Sequence, residues 1–255
     1  VTRHGMEFDR VVDVVADLGV DSTGQESVDA TIRDAATDGT LLVFPDGEYR
    51  WTDANHFSDR GQIGFLGAGE VTFTFPQGYN DYFFTARTRA VLFENVIIDI
   101  RKDNTVTGMK VLCPDGFHVE DVEYVGRGMH EDKPIPGAIL PYVTSADATG
   151  VVKNFVAKKG SAWAHYHSGG GRGGMHVGTG HVGTLRVIDC HLEEFGNNGI
   201  YASGALGEVQ VEGGVFRNNN VAAVRFDGDG SYVDGAVIEV DPEQYTGPRT
   251  REHHS

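Results

Sequence analysis

Six stretches of the chain lie over one another: VLFENVIID from Val91, FHVEDVEYV from Phe117, GVVKNFVAK from Gly150, LRVIDCHLE from Leu185, VQVEGGVFR from Val209 and SYVDGAVIE from Ser231. They recur at about two dozen residues, or about three dozen where a loop is inserted. One such unit cannot bury its apolar face alone, so successive units must stack into a solenoid. Each carries a small break between two short strands, at Asn95, Asp121, Asn154, Asp189 and Asp234, with Gly213 in the remaining unit. Small polar residues and glycine tolerate the left-handed backbone of a tight bend, and a stacked Asn can bond its neighbour. These residues are therefore expected in one line along the stack.

A shorter repeat follows each polar loop: GMKV from Gly108, GMHV from Gly174, GIYA from Gly199 and AVRF from Ala223. Strand side chains alternate faces, so Met109/Val111, Met175/Val177, Ile200/Ala202 and Val224/Phe226 are expected inside. Lys110, His176, Tyr201 and Arg225 then point out. The last three fall in consecutive coils and should form a column roughly 10 Å long. Lys110 stands further up, beyond a coil around GAILPYV, Gly137 to Val143. The glycine-rich run GRGGMHVGTGHVGTL, Gly171 to Leu185, thus reads as one strand with the loops on either side of it. It is not a linker, because the inward pattern persists, nor a phosphate loop, because no helix-forming segment follows.

The chain's start differs. Thr23 and Glu26 have the spacing of a capping box, Val28, Ile32 and Ala35 form an apolar stripe, and Gly39 ends the expected helix. LLVFPDGEYRW then reads as strand, Pro-Asp-Gly turn, strand. A short amphipathic helix, a strand and the FPDGEYR turn resemble the N-terminal cap of the pectate lyase-like proteins, over roughly Val11 to Trp51. Phage tailspikes and many polysaccharide lyases and hydrolases share that cap. The resemblance implies an all-β chain, a single-stranded right-handed parallel β-helix with an N-terminal capping helix. One domain is expected over residues 1–255, with its cap region at 11–50 and its clearest coils at 91–240. An extracellular or cell-surface location is implied by the resemblance alone.

Two loops beside the outward column are long: GRGMHEDKPIP, Gly126 to Pro136, and KKGSAWAHYHSGGGRGG, Lys158 to Gly174. Long loops on one side of a solenoid build binding faces. They bring His130, Glu131, Asp132, Trp163, His165, Tyr166, His167 and Arg172 to the expected rim. Of these, Arg172, His165, His167, Trp163, Tyr166 and His130 suit stacking on sugar rings and bonding to hydroxyls or carboxylates.

In the β-elimination of polysaccharide lyases, a base removes the proton beside a uronate carboxyl, cations stabilise the enolate and an acid protonates the leaving oxygen. His176 and Tyr201 can act as base and acid, Arg225 and Lys110 as charge stabilisers. Glycoside hydrolysis needs two carboxylates; none pairs on this strand, but Glu131, Asp132, Glu193 or Glu194 could come from loops. The expected function is that of a carbohydrate-active protein, a lyase on an acidic glycan. A hydrolase of the same fold and a non-catalytic, tailspike-like glycan binder are the alternatives.

Charge narrows the partners. With 37 Asp and Glu against 21 Lys and Arg, the net charge of −16 opposes a nucleic-acid or anionic-membrane binder. Only six of the basic residues are Lys, a surface suited to high salt. No apolar run is long enough to span a membrane, and no signal peptide is evident. Val1 stands where a Met would begin a chain, so an upstream segment is expected to have been removed. Cys113 and Cys190 suggest no disulfide framework or zinc motif. DGDGS from Asp227 matches the start of a calcium loop without its remaining ligands. HYH, His165 to His167, lacks a third ligand. No metal or cofactor is expected, and calcium, common among the similar lyases, finds no clear ligand cluster. After VIEVDPEQYTGPRTREHHS no further inward strand or capping helix follows, so more coils, self-association or another chain is expected at that end.

Overall fold

The computed structural model describes residues 1–132, 134–165 and 170–249, with the His165 side chain outside the description. The chain winds into a right-handed-type parallel β-solenoid of about nine turns, 52 % strand and 5 % helix. A seven-stranded parallel sheet holds, in order, Asn55–Ser58, Asn80–Arg87, Val106–Cys113, Gly137–Val143, Gly173–His176, Ile200–Ala202 and Val224–Phe226. A thirteen-stranded sheet runs from Arg10–Asp13 through the six repeats to Tyr232–Asp234. Its later coils split into two strands about the bend, as in Thr184–Ile188 and His191–Glu193.

The bends explain the repeat. Asn95, Asp121, Asn154 and Asp189 all have φ between 47° and 58°, and Gly213 follows at 68°. Asn154 Nδ2 donates to Asp121 Oδ1 at 2.6 Å, bonding two successive coils at the bend. In the last coil the left-handed residue is Gly235, φ 66°, and Asp234 instead pairs with Glu212 at the end of its strand. The small polar residue next to the glycine disguised the register by one position.

Inside the coils the alternation holds. Met109, Val111, Met175, Val177, Ile200 and Ala202 are fully buried, while Val224 and Phe226 are only partly covered. Aromatic side chains fill the first half of the tube; Phe65 and Phe93 are in register, their rings 5.9 Å apart and 20° from parallel. GAILPYV forms a full strand with Ile139 between Met109 and Met175. It places Leu140 on the outer face beside Lys110.

The N-terminal cap departs from its expected boundaries. Thr23–Ser27 is a strand pairing with Thr40–Arg50, and the helix spans only Asp29–Ala35, capped by Val28 without a side-chain bond. The capping-box residues serve another turn: Asp21 accepts from the Glu26 N–H, the Thr23 hydroxyl and the N–H groups of Thr23 and Gln25, which pull its carboxyl down to about 2. Val28, Ile32 and Ala35 do face the core. The helix ends at Ala36, before Gly39, and Pro45 to Gly47 form a bulge within one strand rather than a turn between two.

The first residues and the last described ones fold back along the stack. Thr2–Arg3 and Met6–Glu7 make an antiparallel hairpin, and Phe8 packs with Leu41 and Leu92 on the outer face of the long sheet. Gly64 leaves the space, since a Cβ there would meet Leu41 Cδ1 at 2.6 Å and the Phe8 ring at 2.8 Å. At the other end Tyr245 stacks on Trp163 at 4.0 Å, and Thr246 bonds the Glu194 carboxylate. The last coil leaves Val233 and Ile238 40 % and 54 % exposed.

Candidate functional site

The outward column exists as one row of the seven-stranded sheet. His176 pairs with Tyr201, and Tyr201 with Arg225. The His176 and Tyr201 rings lie 5.3 Å apart at 61°, and the Arg225 guanidinium stands 5.4 Å from the Tyr201 ring centre. Burial alone holds the His176 imidazole below its ordinary pKa, so at neutral pH the ring is uncharged. Lys110 lies in the same row beyond Leu140 and directs its ammonium onto the Tyr82 ring at 3.9 Å. That contact draws it away from the three-residue group.

A cleft of about 380 Å³ opens over His176, Tyr201 and Arg225. Pro136, Gly170, Gly171, Asn197, Asn198 and Val221 complete much of its wall, and among the described residues none that lines it is a carboxylate. Asn198 is 2 % exposed; its Nδ2 donates to Asn197, but its buried Oδ1 has no partner among the described residues. A buried acceptor without a donor is costly, and here it belongs to a cleft wall. In the sequence NNG reads only as a loop, so nothing there singled out Asn198.

The long loops place their residues differently from the expected rim. Arg172 is 1 % exposed, donating to the carbonyls of Thr107 at 2.7 Å and Gly137 at 3.5 Å beside the Tyr124 ring. It ties three coils together from inside. Trp163 is buried under Tyr245, with its indole N–H on the Asn218 carbonyl. His130 is also buried, accepting from the Asp132 N–H and donating to the Gly78 carbonyl, so both ring nitrogens serve the loop. His165 closes a short 3₁₀ turn, Trp163–His165; Tyr166 and His167 lie outside the described residues.

The carboxylates considered for hydrolysis are scattered. Glu194 is buried and holds Arg127 and Thr246, Glu193 pairs with His191 and Arg217, and Glu131 and Asp132 are exposed in their loop. Both cysteines are buried and free, their thiols pushed up to about 12 by desolvation, which makes them inert core residues. Among the described residues one group has metal-ligating composition, His4, His118 and Glu120, on the opposite sheet. More than a hundred residues separate His4 from His118, so spacing rules could not join them. No helix among the described residues is long and apolar enough to cross a membrane.

Fold and row together define a right-handed-type parallel β-solenoid carrying a basic and aromatic cleft on one sheet. Among solved structures the chain is similar to ORF18 of Geobacillus virus E2, with 13 % identity and a TM-score of 0.40, over 90 % of this chain and 60 % of that one. The chain therefore spans less than two thirds of that phage protein's length. No protein-family model and no curated protein matches the chain.

Proposed function

We propose that the cleft over His176, Tyr201 and Arg225 binds an acidic polysaccharide and cleaves it by β-elimination, outside the cytoplasm. The observation that carries this reading is the group itself: a neutral imidazole, a phenol and a guanidinium in one row on a protein of net charge −16. Arg225 would pair with the uronate carboxylate and hold the charge of the enolate. The His176 imidazole would take the proton from the carbon beside that carboxyl. Its electron pair forms the new double bond, the neighbouring C–O bond breaks, and the Tyr201 hydroxyl protonates the departing oxygen. That no carboxylate lines the cleft among the described residues favours elimination over hydrolysis.

Digestion of uronate-containing polysaccharides tests this through the unsaturated product, which absorbs in the near ultraviolet. Turnover should fall about 10²- to 10⁴-fold in His176→Ala and Tyr201→Phe, with a comparable loss in Arg225→Ala and little change in stability. New reducing ends without the chromophore would make the protein a hydrolase. Binding without cleavage would leave a glycan-binding surface or tailspike-like protein, and neither across a broad glycan panel would remove the proposal.

A further inference from the structure

The N-terminal hairpin meets the long sheet at a cluster that the cleft does not use. His4 and Gly5 form its two-residue turn, both with positive φ, 47° and 79°. This is the backbone of a type I′ hairpin turn, where Asn, Asp or Gly usually stands. His4 instead lays its ring on His118, centroids 3.6 Å apart and planes 10° from parallel. His118 and Glu120 project from the same face of the strand Phe117–Val125, and Glu94 is the register neighbour of Glu120 on the strand Ala90–Asp99.

The ligand atoms converge. His4 Nε2 is 3.5 Å from Glu94 Oε2 and 3.6 Å from Glu120 Oε2, and His118 Nε2 is 2.6 Å from that same Glu120 oxygen. Bonds of 2.0–2.1 Å to a tetrahedral ion separate the ligand atoms by about 3.3–3.4 Å. Two of the three spacings are thus already close to those of a coordination shell, and the shortest would open as the hydrogen bond gives way to a metal. Lys153 Nζ donates to the other Glu120 oxygen, Oε1, at 2.6 Å, and Arg3 holds both Glu94 oxygens, its Nε on the Oε2 that faces His4 and a terminal nitrogen on Oε1. Outer partners of this kind orient ligating carboxylates. The parallel rings must splay for both lone pairs to reach one ion, a movement open to His4 at the tip of a turn.

We propose that His4, His118 and Glu120, with Glu94 beside them, bind a borderline divalent transition ion such as Zn²⁺, which fastens the N-terminal hairpin to the long sheet. Two imidazoles with carboxylate select such an ion over Ca²⁺ or Mg²⁺, which prefer all-oxygen shells. For His118 Nε2 to coordinate, the proton it shares with Glu120 must pass to Nδ1, so the ring changes tautomer and stays neutral as Zn²⁺ takes the freed lone pair; no redox step is involved.

Calorimetric titration with ZnCl₂ in chelator-treated buffer tests this, on protein in which His253 and His254 of the C-terminal HHS are changed to Ala so that the tail adds no imidazoles. One equivalent should bind with a dissociation constant in the micromolar range or tighter. His4→Ala, His118→Ala and Glu120→Gln should each weaken it at least about 10-fold, while His56→Ala, an exposed imidazole elsewhere, should not. Zn²⁺ should also slow amide exchange in residues 2–7. Should His118→Ala misfold by circular dichroism, His4→Ala carries the test, because its side chain sits on an exposed turn. No binding, or binding unchanged in His4→Ala, would overturn the site.

Discussion

His181 offers a sharp test of the packing between the two sheets. It is fully buried; Nδ1 accepts from the Val143 N–H at 3.1 Å, and Nε2 therefore donates to the Glu208 carbonyl at 3.0 Å. Desolvation lowers its pKa, only partly opposed by the Glu208 carbonyl. Below the ordinary imidazole value of about 6.5 the unfolded chain holds a proton that the folded chain lacks. The stabilisation is present above that value and is lost as pH falls toward the folded value, at up to about 1.4 kcal/mol per pH unit. From about pH 7.5 to about pH 5.5 the unfolded imidazole's own titration limits the loss for this one group to at most about 1.4 kcal/mol. His181→Gln isolates it, because an amide can accept from Val143 and donate to Glu208 without titrating. His118 and His176 are shifted in the same direction by burial but are common to both proteins. Urea unfolding of the two proteins at both pH values should show the native chain losing more stability than the variant on acidification, by up to about 1.4 kcal/mol. Parallel losses would refute the buried neutral imidazole.

Two further tests address the bends and the surface. At Asn154 the left-handed backbone and the bond to Asp121 should make Asn154→Val cost about 1–3 kcal/mol, with Asn154→Gly costing less; equal losses in chemical unfolding would show that φ is not the constraint. Because screening relieves self-repulsion at a net charge of −16, the thermal midpoint should rise from low to molar salt, and a flat response would remove the high-salt reading of the composition.

Much of the coil was legible because its two signals are local. Strand alternation marks Met175 and Ile200 as inward from a few residues of sequence, and a left-handed bend leaves Asn or Asp at Asn95, Asp121, Asn154 and Asp189. The loops were illegible for the opposite reason. Arg172 is buried by the Thr107 carbonyl, 65 residues away, and Trp163 is covered by Tyr245, 82 residues on. No rule of composition places a guanidinium against carbonyls inside a solenoid. The hairpin tip at His4 likewise has meaning only beside His118. Of the cleft, the row His176, Tyr201 and Arg225 came from alternation, whereas nothing in the sequence marked the wall residue Asn198.

The folding back of the first and the last described residues changes how the stack can come apart. A simple solenoid is a one-dimensional array in which each coil is held by its neighbours, so its terminal coils are free to fray. Here Arg3 reaches Glu94 across 91 residues and Arg127 reaches Thr246 across 119. Each terminal segment is clasped to coils in the middle of the row. Peeling from either end must first release a contact of high sequence separation, which raises the contact order and couples outer coils to inner ones. The clasps turn a chain of nearest-neighbour steps into a structure that opens more nearly all at once.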